Sequence, residues 1–456
     1  MRMNKNIVLI GLSGCGKTTL GNKISKKLNM NFIDMDELIV TKTGKSISKI
    51  FEEVSENGFR EIETNICKEI SKLQNTIVAT GGGVVLKGEN IEYLNKNGII
   101  IYLNRSAEEI IKSVNTKKRP LLKNGADKLF DLEKQRKSLY TKYANYILNC
   151  NKSKNETLNS LEILIKKIIG KSKFYVIGNP IAHSLSPQIH MPVLSRYLCT
   201  PSYEKKYVEK DKLCDFVQSV RDEGENVKGF NVTIPFKTEI IPFLDKISES
   251  AKFLNSVNTV VNHNGILTGY STDGEGFYTA LIEAGFEIKE KDVLVIGAGG
   301  ASIAVSAHLV TKNIKTLTIM ARKIEQADLL VEKLKKLNSN IKIKSVLFNN
   351  ENLINYSKEK DVLINATSLG MQGIDFDFES FTFLTKLNKN AVVCDLIYKP
   401  EMTKLLENAK RIGVKTFGGI NMLINQALIG DELYLNTKIP FNEYKQIIKQ
   451  IIKDLS

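Results

Sequence analysis

Hydrophobic positions along this chain form short apolar runs separated by stretches of helical periodicity. Asn6–Ile10 is an apolar run of strand length, and Leu20, Ile24 and Leu28 follow it at a spacing of four. That spacing puts side chains on one face of a helix, so the segment reads as strand then helix. Phe32 to Asp36, Ile77 to Ala79 and Ile99 to Leu103 are further runs of strand length, and Leu158 to Ile169 reads as a closing helix with Leu161, Leu164, Ile165 and Ile168 on one face. Strands alternating with helices predict an α/β layer structure around a parallel sheet. The pattern then restarts. Phe174 to Ile177 is a new apolar strand, and Gly229 to Lys237 alternates polar and apolar residues as a strand does. From Asp292 onward, Val293 to Ile296, Thr316 to Met320, Val362 to Ser368 and Val392 to Tyr398 hold the strands of one more sheet. Only Gly170 to Lys173 separates the closing helix from the restart, a linker short enough to allow little independent tumbling.

Composition narrows the class. A chain of 456 residues exceeds one ordinary core, so two or three domains are expected. No apolar run approaches membrane-spanning length, and Ile7 to Ile10 is too brief for a signal-peptide core, which predicts a cytoplasmic protein without a membrane partner. The six cysteines (15, 67, 150, 199, 214 and 394) are scattered without a CxxC pair, so reduced thiols are expected rather than disulfides or zinc. His183 and His190 are the only neighbouring histidines, on a loop and a helix, and no metal site is expected there. The net charge of +15 comes from dispersed lysines without aromatic interleaving. It therefore predicts solvated faces and a field favouring small anionic substrates, with no nucleic-acid partner.

In the first half, Gly11-Leu-Ser-Gly14-Cys15-Gly16-Lys17-Thr18 sits between a strand and a helix and fits G-x-x-x-x-G-K-[ST]. Its glycines let backbone N–H groups converge on phosphate oxygens, Lys17 reaches the β/γ phosphates, and the Thr18 hydroxyl is a Mg²⁺ ligand candidate. Asp34 and Asp36 end the next strand, where two residues of separation put both carboxylates on one side, one for a metal and the other for a substrate hydroxyl. Gly58-Phe-Arg60 opens a helix that also carries Glu61 and Glu63. The triplet Gly81-Gly82-Gly83 after the third strand suits a backbone that closely approaches a ligand. Lys117-Lys-Arg119-Pro has the makeup of a mobile basic lid, and Arg136 lies on the following helix. In this order the motifs resemble shikimate kinase over residues 5 to 169. The resemblance implies a nucleoside-monophosphate-kinase-like fold, with ATP held by Gly11, Gly14, Cys15, Gly16, Lys17, Thr18, Thr19 and Arg119 and Mg²⁺ by Thr18 and Asp34. It makes Lys17, Asp36 and Arg119 catalytic, and gives the substrate to Asp36, Arg60, Gly81, Gly82, Gly83 and Arg136. Lys112 departs from the arginine common at its position against adenine.

In the second half, Ser184 and Ser186 sit in a turn before a helix near Pro187. The alternation in Gly229 to Lys237 predicts Asn231 and Thr233 together on a polar strand face, with Lys237 just beyond. Asn258 belongs to another short polar strand end, and Asp273 to a loop. Gly297-Ala298-Gly299-Gly300-Ala301-Ser302 follows a strand and opens a helix, with Ser302 in place of the third fingerprint glycine. The next strand ends in Arg322-Lys323, which favours the 2′-phosphate of NADP over the free hydroxyl of NAD. The segments NPIAHSLSP, NVTIPFK, STDG, GAGGAS, INATSLGM and MLINQA together resemble shikimate dehydrogenase over about 174 to 456. The resemblance implies hydride transfer with NADP(H), Lys237 as general acid/base and Asp273 orienting it. It gives the substrate to Ser184, Ser186, Asn231, Thr233, Lys237, Asn258, Asp273, Tyr398 and Gln426, with both serines on the carboxylate. The cofactor falls to Gly297, Ala298, Gly299, Gly300, Ala301, Arg322, Lys323, Asn365, Thr367, Gly419 and Met422. Ala321 and Gly418 stand where relatives commonly have polar residues.

The expected architecture is therefore α/β throughout: a P-loop kinase with a parallel sheet over residues 1–170, an α/β substrate domain over 171–275 completed by helices at about 422–456, and a Rossmann NADP domain over 276–421. Two successive steps on 3-dehydroshikimate and shikimate are implied. The alternatives are a quinate-active dehydrogenase joined to a related small-molecule kinase, and a non-catalytic regulator built on the same folds. The latter is at odds with the full set of catalytic residues and with the absence of any appended DNA-binding segment.

Overall fold

The computed structural model describes residues 5–113, 126–222, 226–440, 443–444, 446–448 and 450–451. The first sheet contains β1 (Asn6–Ile10), β2 (Asn31–Asp34), β3 (Thr76–Ala79), β4 (Gly98–Asn104) and β5 (Tyr146–Asn149), in the order β2-β3-β1-β4-β5. Every pairing in it is parallel. Helices cover such a sheet on both faces, and this is why β1 and β3 are buried at every position. The strand order reverses at β1, so the loops after β1 and β3 open into one crevice.

The second sheet joins β6 (Lys171–Gly178), β7 (Thr200–Tyr207), β8 (Val227–Val232), β9 (Lys246–Ile247), β10 (Thr259–His263) and β11 (Ile266–Tyr270), in the order β7-β6-β8-β10-β11-β9. It is mixed: β6 and β8 run parallel, whereas β10 is antiparallel to β8 and β11. The third sheet is parallel throughout and orders β12 (Asp292–Ile296), β13 (Thr316–Ala321), β14 (Lys342–Leu347), β15 (Val362–Asn365), β16 (Val392–Asp395) and β17 (Lys415–Gly418) as β14-β13-β12-β15-β16-β17. This is the doubly wound order, with its switch point between β12 and β15.

The chain forms two compact units. One is Met1–Ser172 with Pro192–Ser202 and Thr437–Lys449; the other is Lys173–Met191 and Tyr203–Asn436 with Gln450–Ser456. Within the second unit, the long Gly419–Leu435 helix packs along the Asp273–Glu283 helix and reaches β10. No helix among the described residues is long and apolar enough to cross a membrane.

Several local expectations shift. Strand β2 ends at Asp34, and Asp36 stands in the first turn of the Met35–Thr43 helix. Asp34 is the N-cap of that helix, because its carboxylate satisfies N–H groups that the first turn leaves open. Arg60 is not at a helix start but inside Ile47–Ile70, beyond a break at Ser55 with φ 63 and ψ 177. Strand β8 ends at Val232, so Thr233 does not share a strand face with Asn231, and Lys237 lies in the short Phe236–Glu239 helix. Asn258 precedes β10 rather than ending a strand, and Asp273 opens the Asp273–Glu283 helix rather than sitting in a loop.

Candidate active sites

In the first unit, the loop after β1 turns through positive φ at Gly11, Gly14 and Gly16, where a Cβ would be strained. Lys17 is buried and donates to the carbonyl oxygens of Gly11 at 2.7 Å and Leu12 at 2.9 Å. The Cys15 thiol lies beside its ammonium at 3.8 Å. Thr18 and Thr19 are exposed on the first turn of the Lys17–Leu28 helix, whose N-terminus favours anions. The Thr18 hydroxyl donates to Asp34 Oδ2 at 2.6 Å, while Asp34 Oδ1 accepts from the backbone N–H groups of Asp36 and Glu37. A hydroxyl and a carboxylate oxygen side by side form a hard oxygen-donor pair, of the kind that holds Mg²⁺ together with phosphates.

A second group of side chains surrounds the glycine triplet. Arg60 donates to Glu63 at 2.8 Å and to Glu56 at 3.1 Å, and lies over the Phe59 ring. A Cβ on Gly83 would fall 2.5 Å from both terminal nitrogens of Arg60, so glycine alone leaves room for the guanidinium. Arg136 and Tyr140 both donate to the carbonyl oxygen of Gly82, at 3.0 and 2.5 Å. Arg136 Nε is buried with no partner among the described residues, a donor left for an incoming acceptor. A Cβ on Gly81 would sit 3.0 Å from Asp36 Oδ1 and 3.2 Å from Glu63 Oε1. Burial, followed by the neighbouring Asp34 charge, raises the Asp36 carboxyl, whereas Lys17 and Arg60 pull it down. Glu63 is pushed up by burial in the same way, against its hydrogen bond to Arg60. The sequence reading gave Glu63 no role, although its position three residues after Arg60 on one helix was the available signal. Arg119 lies outside the described residues. Lys112 is exposed and pairs with Glu108 and Glu109 on its own helix.

In the second unit, Lys237 Nζ donates to Asp273 Oδ2 at 2.7 Å, and Asn258 Nδ2 donates to Asp273 Oδ1 at 2.8 Å. Asn258 Oδ1 accepts from the Thr272 backbone, and Gln426 Oε1 accepts from both Asn258 and Thr272 at 3.2 Å. The lysine is thus held by a carboxylate that Asn258 fixes directly, and Asn258 is in turn held by Thr272 and Gln426. Thr272 is the member that the sequence reading left without a role. Ser184 donates to Ser186 at 3.1 Å and accepts from its backbone N–H, so the two half-buried hydroxyls are preset side by side. The Thr233 hydroxyl is half-buried and makes no hydrogen bond among the described residues. Tyr398 is 41% exposed and likewise tied to none of these groups among the described residues.

Asn231 departs from its expected role at a ligand surface. It is buried, its Oδ1 accepts from Tyr203 and Tyr434, and its Nδ2 donates to Asn258 O and Thr259. All four hydrogen-bonding capacities are used inside the protein. Asn365 behaves alike: its amide bonds Asp395 and Leu369 O, and its oxygen accepts from Thr367. Both asparagines brace neighbours and leave nothing free for a ligand.

At the switch point, Gly297 has φ +115, and a Cβ there would press on Ala366 O at 2.8 Å. Gly299 and Gly300 have no positive φ, and a Cβ on either would meet nothing within 4 Å. The fold itself thus makes no demand for glycine at these two positions, whereas a pyrophosphate lying against the helix N-terminus would. Ala298, half-buried against the core, and Ala301, exposed, flank them. Ser302, in place of the third glycine, donates to Gly297 O at 2.7 Å and braces the turn. Arg322 and Lys323 are exposed after β13, with no acid beside them in sequence, while Ala321 is buried. Gly419 and Met422 lie at the start of the Gly419–Leu435 helix, where a Cβ on Gly419 would clash with Leu396 O at 2.3 Å.

A family model described as shikimate kinase matches residues 13–168. One described as shikimate dehydrogenase substrate binding domain matches 176–260, and one described as shikimate / quinate 5-dehydrogenase matches 280–390. The shikimate dehydrogenase (NADP(+)) of Alkaliphilus oremlandii (strain OhILAs) is 38% identical over 274 residues, 60% of this chain and 94% of that protein. The crystal structure of shikimate 5-dehydrogenase from Listeria monocytogenes in complex with shikimate and NAD has 32% identity and a TM-score of 0.55, covering 63% of this chain and 96% of that one. A chorismate mutase/shikimate 5-dehydrogenase fusion protein from Clostridium acetobutylicum has 28% identity and a TM-score of 0.54, covering 63% and 98%. The chain belongs to the shikimate dehydrogenase family over its C-terminal part, and ahead of that part it carries a shikimate kinase domain.

Proposed function

We propose that this chain is a bifunctional enzyme that reduces 3-dehydroshikimate to shikimate with NADPH and phosphorylates shikimate with ATP. The observation that carries the reading is the pair of preset sites in one chain: Lys237 held 2.7 Å from Asp273, and Asp36 beside two arginines on a glycine triplet. By function the division is 1–170 for the kinase, 171–275 with 422–456 for the dehydrogenase substrate domain, and 276–421 for the NADP domain; by packing, 192–202 and 437–449 are counted with the P-loop unit instead. The setting is the cytoplasm.

In the dehydrogenase, Ser184 and Ser186 grip the substrate carboxylate, while Asn258, Gln426 and Thr233 face its ring. Lys237 gives a proton to the carbonyl oxygen on reduction and takes it back on oxidation. Asp273 keeps the ammonium aimed and partnered, and Asn258 fixes Asp273. NADPH, when bound, supplies the hydride; Gly299 and Gly300 leave room for its pyrophosphate, and Arg322 and Lys323 receive its 2′-phosphate. In the kinase, Arg60 and Arg136 take the same carboxylate, a pairing suited to planar guanidinium forks. Asp36 orients the attacking hydroxyl and accepts its proton. Lys17 can exchange its loop carbonyls for phosphate oxygens, and Thr18 with Asp34 would hold Mg²⁺, which would offset phosphate charge.

The test is one purified chain assayed twice. Shikimate with NADP should yield reduced nicotinamide, and shikimate with ATP and Mg²⁺ should yield ADP. Absence of either reaction overturns the corresponding half. The family model that names quinate beside shikimate supports a second reading of the dehydrogenase, and turnover of quinate at a rate matching shikimate would establish it.

A further inference from the structure

The second unit buries a polar and aromatic cluster that the proposed catalysis does not use. Asp431 is fully buried on the Gly419–Leu435 helix, five residues beyond Gln426, and its Oδ1 accepts from His190 Nδ1 at 2.8 Å. His190 is 1% exposed and lies four residues after Ser186 at the start of the Ser186–Tyr197 helix. Its ring lies flat on Tyr203, with centroids 4.7 Å apart and 6° between the planes. Tyr203 and Tyr434 both donate to Asn231, Asn231 donates to the Asn258 carbonyl, and Asn258 holds Asp273. A continuous run of contacts therefore leads from Asp431 to the Lys237–Asp273 pair.

Two features argue against a merely stabilising role. Asp431 Oδ2 is buried without a partner among the described residues, so the carboxylate is only partly satisfied. An apolar pair of similar volume would hold two helices together at least as well, because it has no desolvation penalty to overcome. What a directional bond adds over an apolar contact is a fixed register.

We infer that His190 and Asp431 are a positioning pair. They fix the helix turn that carries Ser186 against the helix that carries Gln426, and so set the affinity of the dehydrogenase site for its acidic substrate. The inference rests on the dehydrogenase reading above. In that reading the two serines grip the carboxylate and Gln426 faces the ring, so a slip between the helices moves two contacts on one small molecule.

The test uses the full chain with shikimate and NADP. The double variant His190→Phe/Asp431→Leu removes the bond and the buried charge together and keeps a ring on Tyr203. Its expected signature is a KM for shikimate raised at least fivefold, a kcat and a KM for NADP within twofold of the parent, and an unchanged thermal midpoint. The single variants separate bond from ring: Asn in place of His190 keeps an N–H near the Nδ1 position, whereas Phe keeps the ring and loses the donor. His190→Asn should stay near the parent KM and His190→Phe should not. A double variant that folds with the parent KM for shikimate overturns the inference. So does a His190→Asn variant as impaired as His190→Phe, which also decides the matter if the double variant fails to fold. A parent chain without turnover of shikimate would instead fail the underlying reading.

Discussion

Lys237 and Asp273 lie 2.7 Å apart, and Asn258 occupies the second carboxylate oxygen. The lysine is thus aimed before substrate arrives, and its removal should leave the fold intact. Lys237→Ala should lower dehydrogenase kcat by about 10²–10⁴, the usual worth of a positioned acid/base. ADP formation by the same preparation serves as the internal control and should not change. Loss of both activities would point to misfolding. Asp395 offers a different residue-level test. It is fully buried at the end of β16, where burial outweighs bonds from Thr403, Ile397 N–H and Asn365 and pushes its carboxyl from 3.8 up to about 6. Folding therefore favours the protonated form. The associated stability is complete below 3.8 and is lost as pH rises through 6; the loss is on the order of 3 kcal/mol. Asp395→Asn carries no such charge. Its thermal midpoint should gain on the parent between pH 4 and pH 7, and parallel curves would refute the shift. Residue type and spacing had pointed to the lysine, the aspartates and the serines, because local motifs carry them. They misplaced Asn231, whose partners all lie far away in sequence, with Tyr434 203 residues off, and Asn365, whose local bonds to Thr367 and Leu369 are completed by Asp395, 30 residues away. Nothing local says that an amide is already saturated.

Elements were more legible than residues, since burial imposes a pattern that each strand must show. The parallel strands β1, β12 and β15 read as unbroken apolar runs because both of their faces are covered. Boundaries were less legible. Asp34 and Asp36 look like one strand end, yet Asp34, accepting from the N–H groups of Asp36 and Glu37, caps a helix that starts between them. The glycine loop after β12 joins element to function. A Cβ at Gly299 or Gly300 would meet nothing within 4 Å beyond its immediate chain neighbours and the helix's own backbone, and neither residue has a positive φ. Gly299→Ala and Gly300→Ala should therefore leave the thermal midpoint within about 1–2 °C of the parent, as for a surface change of a few tenths of a kcal/mol. Either should raise the KM for NADP about tenfold or more, because the new methyl occupies the approach of a pyrophosphate to the helix N-terminus. The KM for ATP is the control. Unchanged NADP kinetics would remove the cofactor from this loop.

At the scale of the molecule, the compact unit built around the P-loop does not stop where the first sheet's helices end. Residues 192–202 and 437–449 belong to it. The Tyr146 hydroxyl donates to Tyr197 O at 3.0 Å, and the two rings meet edge to face at 5.8 Å. Tyr197 in turn donates to Glu443 at 3.0 Å, Cys199 N–H donates to Ile168 O at 2.9 Å, and Lys5 donates to Ser195 O. Tyr146 is 5% exposed under this cover. A fragment of residues 1–170 would lose all of it and lay open Tyr146 and part of the Lys154–Ile169 helix. Exposing a tyrosine and a few aliphatic groups costs about 2–3 kcal/mol. For a fragment of this size that is a drop of roughly 5–10 °C in thermal midpoint. Gly11 to Thr19, Asp36, Arg60, the glycine triplet and Arg136 all remain in the fragment, so its KM for shikimate at low temperature should match that of the full chain. Restoring residues 171–202 alone should recover part of the loss, through Tyr197 and Cys199 but without Glu443. A fragment as heat-stable as the parent's kinase activity would mean that these contacts hold the added segments in place without supporting the kinase. A fragment with an altered KM would mean that the cover reaches the site itself.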